Sequence, residues 1–88
     1  MAYIIVENGA LQGQQFQLGD EAFLIGRHSS CDIVLPIPGV SRKHSQISKT
    51  GSGYKVEDLK SRNGIYVNGV PVKKSALHHN DVVNVSRF

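Results

Sequence analysis

The sequence predicts an all-β domain, either a sandwich or a barrel, in which helix is nearly absent. Glycine and proline interrupt the 88-residue chain every few residues. The short pieces between them are rich in β-branched and aromatic residues, and several alternate apolar with polar positions, as half-buried strands do. The longest stretch without either residue, 72–88, lacks the spacing of an amphipathic helix. These observations favour sheet throughout.

Nine pieces of the chain have the composition of strands. In chain order they are Tyr3–Val6, Gln14–Leu18, Ala22–Gly26, Asp32–Leu35, His44–Ser48, Tyr54–Asp58, Ile65–Val67, Val70–Val72 and Asp81–Val85. The last piece, DVVNV, keeps its period of two although it lies in the long stretch without glycine or proline. Turn-forming residues separate most of these pieces, at intervals that suit a sheet.

The turns differ in kind. Asn68-Gly69 lies directly between two candidate strands and predicts a tight two-residue hairpin turn. Asn63-Gly64 comes too soon before that turn to form another hairpin, so we expect it to end a longer connection that starts near Asp58. The segment 51–53, GSG, is interpreted as a hairpin turn, because it lacks the rest of a phosphate-binding fingerprint.

Size and composition indicate one small soluble domain. Hydrophobic residues make up 40% of the chain and charged residues 19%, as in ordinary globular proteins. No apolar run approaches the ~20 residues that span a bilayer, so we expect no membrane association. The single cysteine, Cys31, cannot form an internal disulfide and fits a reducing cytoplasm. We interpret it as a small buried apolar residue.

Positive charge is concentrated in the middle of the chain. Residues 40–74 contain eight basic and two acidic residues, whereas the whole chain has a net charge of only +3. An anionic partner would therefore bind there, although a solvated basic face has the same composition.

Catalysis and metal binding are not indicated. Ser41 and His44 are a possible nucleophile and base, with Asp32 or Asp58 as an orienting group, but no Gly-x-Ser-x-Gly elbow is present. The histidines and Cys31 lack the paired spacing of a zinc site, and adjacent His78 and His79 would point to opposite faces of a strand. We predict no catalytic residues, no metal site and no cofactor.

Anion recognition fits the residues better. Arg27 and Arg42 can hold phosphate oxygens with planar guanidinium groups, and Ser41 adds a hydroxyl donor. Asn63 carries an amide that can both donate to and accept from a peptide backbone. Arg62 stands directly beside it and adds charge.

Three motifs in this order resemble the signatures of a forkhead-associated (FHA) domain. They are IGR at residues 25–27, SRKH at residues 41–44 and SRNGIYVNG at residues 61–69. The resemblance extends from about Tyr3 to the C-terminus. It implies a twisted antiparallel β-sandwich of about ten short strands, with loops at one end that bind phosphothreonine peptides.

The resemblance also implies a role for each motif residue. Arg27 and Ser41 would hold the phosphate, with Arg42 and Arg62 beside it. Asn63 would bond the peptide main chain next to the phosphothreonine. The site would be supported by Gly26, His44 and Gly64, of which His44 braces the loops from behind and the glycines permit a tight backbone. A pocket for the threonine methyl group would favour phosphothreonine over phosphoserine.

The end of the chain departs from the family pattern. Family members usually finish with one further strand after the piece Asp81–Val85, and it pairs back toward the start of the chain. We therefore expect residues 1–88 to be the N-terminal part of a longer protein, without the last strand of its FHA-like domain. The unpaired edge would be open to strand exchange or self-association.

Two other functions compete with a non-catalytic phosphothreonine-peptide reader. The basic segment 40–74 could contact nucleic-acid phosphates. The tyrosines and phenylalanines mostly fall at strand positions that we interpret as core, which leaves no evident platform for base stacking and disfavours this function. The other alternative is a pure assembly module that uses the open edge and no phosphate.

Overall fold

The computed structural model describes residues 2–86, and its regular elements in this range are all β-strands. The ten strands are β1 (Ala2–Ile5), β2 (Gln15–Leu18), β3 (Phe23–Gly26), β4 (Ile33–Val34), β5 (Ser45–Lys49), β6 (Tyr54–Asp58), β7 (Ile65–Val67), β8 (Val70–Val72), β9 (Lys74–Leu77) and β10 (Val83–Val85). Residues 2–86 contain no helix of the length and hydropathy that crossing a bilayer requires. The predicted all-β fold is confirmed.

The strands form three sheets. The largest has the order β4-β3-β5-β6-β9, a second has the order β10-β7-β8, and β1 pairs with β2. All pairings are antiparallel except that of β3 with β4, where Ile25 lies beside Ile33. The antiparallel sandwich thus includes one short parallel pair. It forms because residues 27–32 turn back compactly, with the Asp32 N–H donating to the Leu24 carbonyl at 2.9 Å.

One hydrophobic core lies between the sheets and joins them. Val56 of the large sheet is fully buried, and Ile65 of the second sheet is 1% exposed. Leu18 contributes from the β1–β2 pair and Val85 from β10. Side chains from the three sheets therefore pack into a single cluster, as the inner faces of a β-sandwich do.

Strand β9 was missed in the sequence analysis. Its residues, Lys74–Leu77, include no β-branched or aromatic side chain, and propensity therefore gives no signal. The strand forms because it pairs with β6, where Lys55 lies beside Ala76. His78 and His79 follow β9 in a loop, so the expectation that they lie on opposite faces of a strand was wrong.

The turn predictions are confirmed. Asn68 and Gly69 have φ of 52° and 83° and connect β7 directly to β8, as a two-residue hairpin turn requires. Asn63-Gly64 ends the longer connection between β6 and β7. Gly51–Gly53 lie in the β5–β6 turn, where the Thr50 N–H donates to the Gly53 carbonyl at 2.8 Å.

Candidate anion-binding site

Three connections between strands meet at one end of the sandwich. They are residues 27–32 after β3, residues 35–44 before β5 and residues 59–64 after β6. Backbone hydrogen bonds join the first two, since the Arg27 N–H donates to the Ser41 carbonyl at 3.0 Å and the His28 N–H to the Arg42 carbonyl at 3.0 Å. The third is joined by the Leu59 N–H, which donates to the His44 carbonyl at 2.9 Å.

Gly26 makes the first of these junctions possible. A β-carbon at this position would lie 2.2 Å from the Arg42 carbonyl oxygen and 3.0 Å from the His44 nitrogen. Both are backbone atoms, which a rotamer change cannot move away. The lack of a side chain at the end of β3 therefore allows the two loops to approach closely.

His44 holds two of the loops from behind. The residue is completely buried. Its Nδ1 accepts a hydrogen bond from the Ser41 N–H at 3.0 Å, and its Nε2 lies 2.7 Å from the Gly64 carbonyl. Because an amide N–H needs an acceptor and a carbonyl needs a donor, these partners assign the neutral ring with the proton on Nε2. Gly64, at φ 76°, is in the left-handed region that glycine favours.

The same contacts exclude a catalytic triad. Both ring nitrogens of His44 bond backbone groups, so neither can take the proton of the Ser41 hydroxyl. The two candidate orienting carboxylates also have other partners. Asp32 accepts from the Leu24 N–H at 2.8 Å, and Asp58 accepts from the Ser61 hydroxyl.

Ser41 is prepared to donate a hydrogen bond outward. Its side-chain oxygen accepts from the Arg62 backbone N–H at 3.0 Å. This bond fixes the hydroxyl oxygen and occupies one of its acceptor positions, and the hydroxyl proton is left for a ligand. Ser41 thereby joins the second and third loops at the point where a ligand would contact both.

Arg27 lies on the first loop with an exposed side chain. Its Nε donates to the Val40 carbonyl at 3.0 Å, which orients the guanidinium group. Among the described residues, none accepts a hydrogen bond from its two terminal nitrogens. A guanidinium group held at one nitrogen and open at the other two can receive an oxyanion bidentately.

Asn63 is exposed on the third loop. Its Nδ2 donates to the Gly39 carbonyl at 2.7 Å, which ties the third loop to the second. The amide keeps its oxygen and one N–H for a ligand. Arg42 and Arg62 are exposed on the same two loops and add positive charge beside Ser41.

Two supporting features were missed in the sequence analysis. Ser61 donates to Asp58 and accepts from the Gly64 N–H at 2.9 Å, which shapes the third loop internally. The spacing of Asp58 and Ser61, typical of side-chain-capped turns, is the signal that would have indicated this contact. The second feature is Gly39, whose carbonyl accepts the hydrogen bond from Asn63 Nδ2. No local sequence pattern indicates this contact.

Cys31 supports the first loop from inside. It is 7% exposed, as expected for a small buried residue, and its Sγ donates to the Arg42 carbonyl at 3.3 Å. Desolvation by burial raises the pKa of the thiol above its ordinary value, because an apolar surrounding disfavours the thiolate. The thiol therefore stays protonated at neutral pH.

A β-sandwich that carries oriented cationic and hydroxyl donors on loops at one end belongs to the class of interaction modules that recognise an anionic group. The family model of the FHA domain matches residues 23–86, and the chain belongs to this family. The resemblance stated from the three motifs is thus confirmed.

Relatives and solved structures agree with this assignment. The chain is 37% identical over 87 residues to an oxoglutarate dehydrogenase inhibitor of Corynebacterium jeikeium and 36% identical over 87 residues to the glycogen accumulation regulator GarA of Mycolicibacterium smegmatis. Both alignments include 99% of this chain, which spans 60% and 55% of those two proteins. A structure solved in a study of phosphothreonine-dependent FHA domain interactions superposes with a TM-score of 0.84 and 34% identity, over 94% of this chain and 84% of that one.

Proposed function

We propose that the domain is a non-catalytic reader of phosphothreonine peptides, which recruits or regulates proteins according to their phosphorylation. The observation that carries the proposal is the arrangement at Ser41. The Ser41 hydroxyl oxygen accepts from the Arg62 N–H, so the hydroxyl proton is left to donate to a ligand. The loop that carries Ser41 also accepts hydrogen bonds from both the backbone N–H and the side-chain Nε of Arg27.

A phosphorylated side chain matches these donors. It carries a charge of about −1.5 to −2 and three strongly accepting oxygens. Arg27 and Ser41 hold the phosphate, while Arg42 and Arg62 lower the electrostatic cost of bringing a dianion to the surface. If each charge-assisted hydrogen bond contributes ~1.5–3 kcal/mol, three or four of them give micromolar affinity, about −8 kcal/mol after ordering costs.

Asn63 would recognise the peptide rather than the phosphate. Its amide oxygen and remaining N–H match the N–H and carbonyl of a main chain next to the phosphothreonine. The bond to Gly39 limits rotation of the amide, so less side-chain entropy is lost on binding.

Support for a regulatory setting comes from the relatives. One is named as an inhibitor of an enzyme and another as a regulator of glycogen accumulation. We place this domain in the cytoplasm, where protein kinases and phosphatases would control its partners and where Cys31 would stay reduced.

The test is a set of calorimetric titrations with a degenerate phosphothreonine peptide library, its unphosphorylated twin, its phosphoserine twin and single-stranded DNA. We expect micromolar binding of the phosphothreonine library, weaker binding of phosphoserine, and no binding of the unphosphorylated peptides. Binding that ignores the peptide phosphate and scales with DNA length would overturn the proposal in favour of a nucleic-acid function.

Substitution of Arg27 by alanine locates the interaction. Arg27→Ala removes the oriented guanidinium and is expected to weaken peptide binding by about a hundredfold, the effect of losing charge-assisted bonds worth ~2.7 kcal/mol. Lys49→Ala is the matched control, because it removes the same charge from the far end of β5, where Lys49 pairs with exposed Asp20. Equal losses in both variants would indicate general electrostatic attraction instead of a site.

A further inference from the structure

An open groove of about 280 Å³ begins at Asn63 and extends along β7 and β8. Its lining includes Asn63 and Gly64 of the third loop, Tyr66 of β7 and Pro71 of β8. Pockets for drug-sized ligands start at about 300 Å³, so a groove of this size suits a single side chain. Because Asn63 belongs to both, the groove is continuous with the candidate anion-binding site.

Tyr66 and Pro71 form an apolar surface in this groove. They lie directly opposite each other in the pairing of β7 with β8. The neighbours of Tyr66 in β7, Ile65 and Val67, are buried in the core, so alternation places Tyr66 on the outer face of the second sheet. Tyr66 is half-buried and Pro71 is exposed. Two rigid rings side by side offer contact area at a low cost in side-chain entropy.

The charged side chains in the groove are of opposite sign. Asp58 and Lys73 both contribute to the lining, and the Asp58 N–H donates to the Lys73 carbonyl at 2.8 Å, which holds the two positions together. One carboxylate and one ammonium group give the described lining no net charge. The loops that carry Arg27, Arg42 and Arg62 are strongly positive by contrast. The groove therefore favours an uncharged apolar ligand group.

We propose that this groove sets the sequence preference of the domain, and that it binds a bulky apolar side chain one to three residues away from the phosphothreonine. The inference rests on the proposed function, in which Asn63 bonds the peptide main chain. An extended peptide held there advances about 3.3 Å per residue and projects successive side chains to opposite sides. Tyr66 follows Asn63 by three residues, so a side chain that points toward β7 reaches the groove within this distance. Covering Tyr66 and Pro71 withdraws apolar surface from water, which favours binding.

The proposal is tested with labelled phosphothreonine peptides whose other residues are alanine. Leucine is placed in turn at each of the three positions on either side of the phosphothreonine, and binding is measured by fluorescence anisotropy. We expect leucine at one position to raise the affinity about tenfold over the alanine peptide, the effect of partly burying an apolar side chain. Glutamate at the same position is expected to give no gain. An equal gain with glutamate would indicate selection by Lys73 and would overturn the proposal of an apolar occupant.

Two variants locate the preference for leucine in the groove. Tyr66→Thr removes the ring but keeps a β-branched residue that suits a strand. It is expected to reduce the ratio of the affinities for the leucine and alanine peptides from about ten to about one. Tyr3→Thr is the matched control, because it removes a ring that is 55% exposed on β1, outside the groove, and the ratio should stay unchanged. A ratio that survives in Tyr66→Thr would overturn the assignment to this groove.

An NMR titration of the unsubstituted domain tests the same contact without relying on the stability of a variant. The leucine peptide is expected to shift the ring signals of Tyr66 and the side-chain signals of Pro71, and the alanine peptide is expected to leave both in place. Phosphothreonine binding with no preference for leucine at any position would overturn the groove proposal and leave the proposed function intact. Failure of every phosphothreonine peptide to bind would overturn the proposed function itself, and the groove proposal with it.

Discussion

Gly26 shows how a single position determines whether the binding loops can meet. We expect Gly26→Ala to lower the free energy of unfolding by about 2–3 kcal/mol, because the added β-carbon forces two packed backbone segments apart. Phosphopeptide binding should weaken as well, since the displaced segment carries Ser41. Chemical denaturation and calorimetry measure both effects.

Gly19→Ala is the matched control for this substitution. A β-carbon at Gly19 would meet no atom within 4 Å, and Gly19 has no positive φ. We expect a change within about 0.5 kcal/mol, as for an ordinary surface substitution. A similar loss in both variants would contradict the steric explanation.

The buried hydroxyl of Ser45 lowers the free energy of unfolding. It is completely buried at the start of β5, and its hydroxyl oxygen has no hydrogen-bond partner among the described residues. Because burying an unpaired hydroxyl is unfavourable, we expect Ser45→Ala to raise the free energy of unfolding by about 1 kcal/mol. Half-buried Ser48 provides the control, where alanine should have little effect. A loss of stability in Ser45→Ala would mean that the hydroxyl has a partner in solution.

At the scale of elements, the β7–β8 turn is fastened to the loop before β10. The Asn68 side chain donates to Asp81 at 2.9 Å and accepts from the Val82 N–H at 2.9 Å, and the His78 N–H donates to the other Asp81 oxygen at 2.7 Å. The hydrogen bond from Asn68 has the largest effect on the Asp81 carboxyl, followed by that from the His78 N–H. Together they lower the pKa of Asp81 below its ordinary value of 3.8. They exist only in the folded chain.

The lowered pKa of Asp81 predicts a dependence of stability on pH. A carboxyl whose pKa falls on folding stabilises the folded state above its ordinary value of 3.8, and this contribution is lost as the pH falls through the lower pKa of the folded state. We expect Asp81→Asn to reduce the drop in the free energy of unfolding between about pH 4 and about pH 2. Glu21→Gln removes a carboxyl from an exposed turn and serves as the control. An equal drop in the wild type and in Asp81→Asn would contradict the prediction.

Local signals explain which elements could be predicted from the sequence. Asn68-Gly69 and the alternation in Tyr54–Asp58 depend on residues close in the chain, and both were located correctly. Strand β9 depends on pairing with β6, and the β3–β4 pair depends on a compact turn, so neither follows from propensity.

The same distinction between local and distant contacts holds at the candidate site. The motifs indicate which side chains offer donors, and their roles in binding stay a prediction. The bonds from Asn63 Nδ2 to the Gly39 carbonyl and from the Arg62 N–H to the Ser41 hydroxyl oxygen arise only from the packing of distant loops.

At the scale of the whole molecule, the candidate anion-binding site rests against the end of β10 in the second sheet. The Gly64 carbonyl lies at hydrogen-bonding distance from both the Ser86 N–H and His44 Nε2. A β-carbon on Gly39 would lie 3.0 Å from the Ser86 hydroxyl oxygen, so the backbone that receives Asn63 rests directly against Ser86. Ser86 therefore contacts the backbone of both loops that carry Ser41 and Asn63, the candidate binding residues.

Changes at Ser86 are thus expected to weaken phosphopeptide binding, although Ser86 lies outside the three loops. Ser86→Val places a β-branched side chain at φ 60°, and its added methyl group presses against the backbone at Gly39. A coupling of about 1 kcal/mol, at the low end of the usual range, would give roughly fivefold lower affinity by calorimetry. Ser86→Gly is the control and should leave the affinity unchanged, because glycine adopts the left-handed backbone conformation without strain. Unchanged affinity in Ser86→Val would show that the contact between Ser86 and Gly39 transmits no energy to the binding loops.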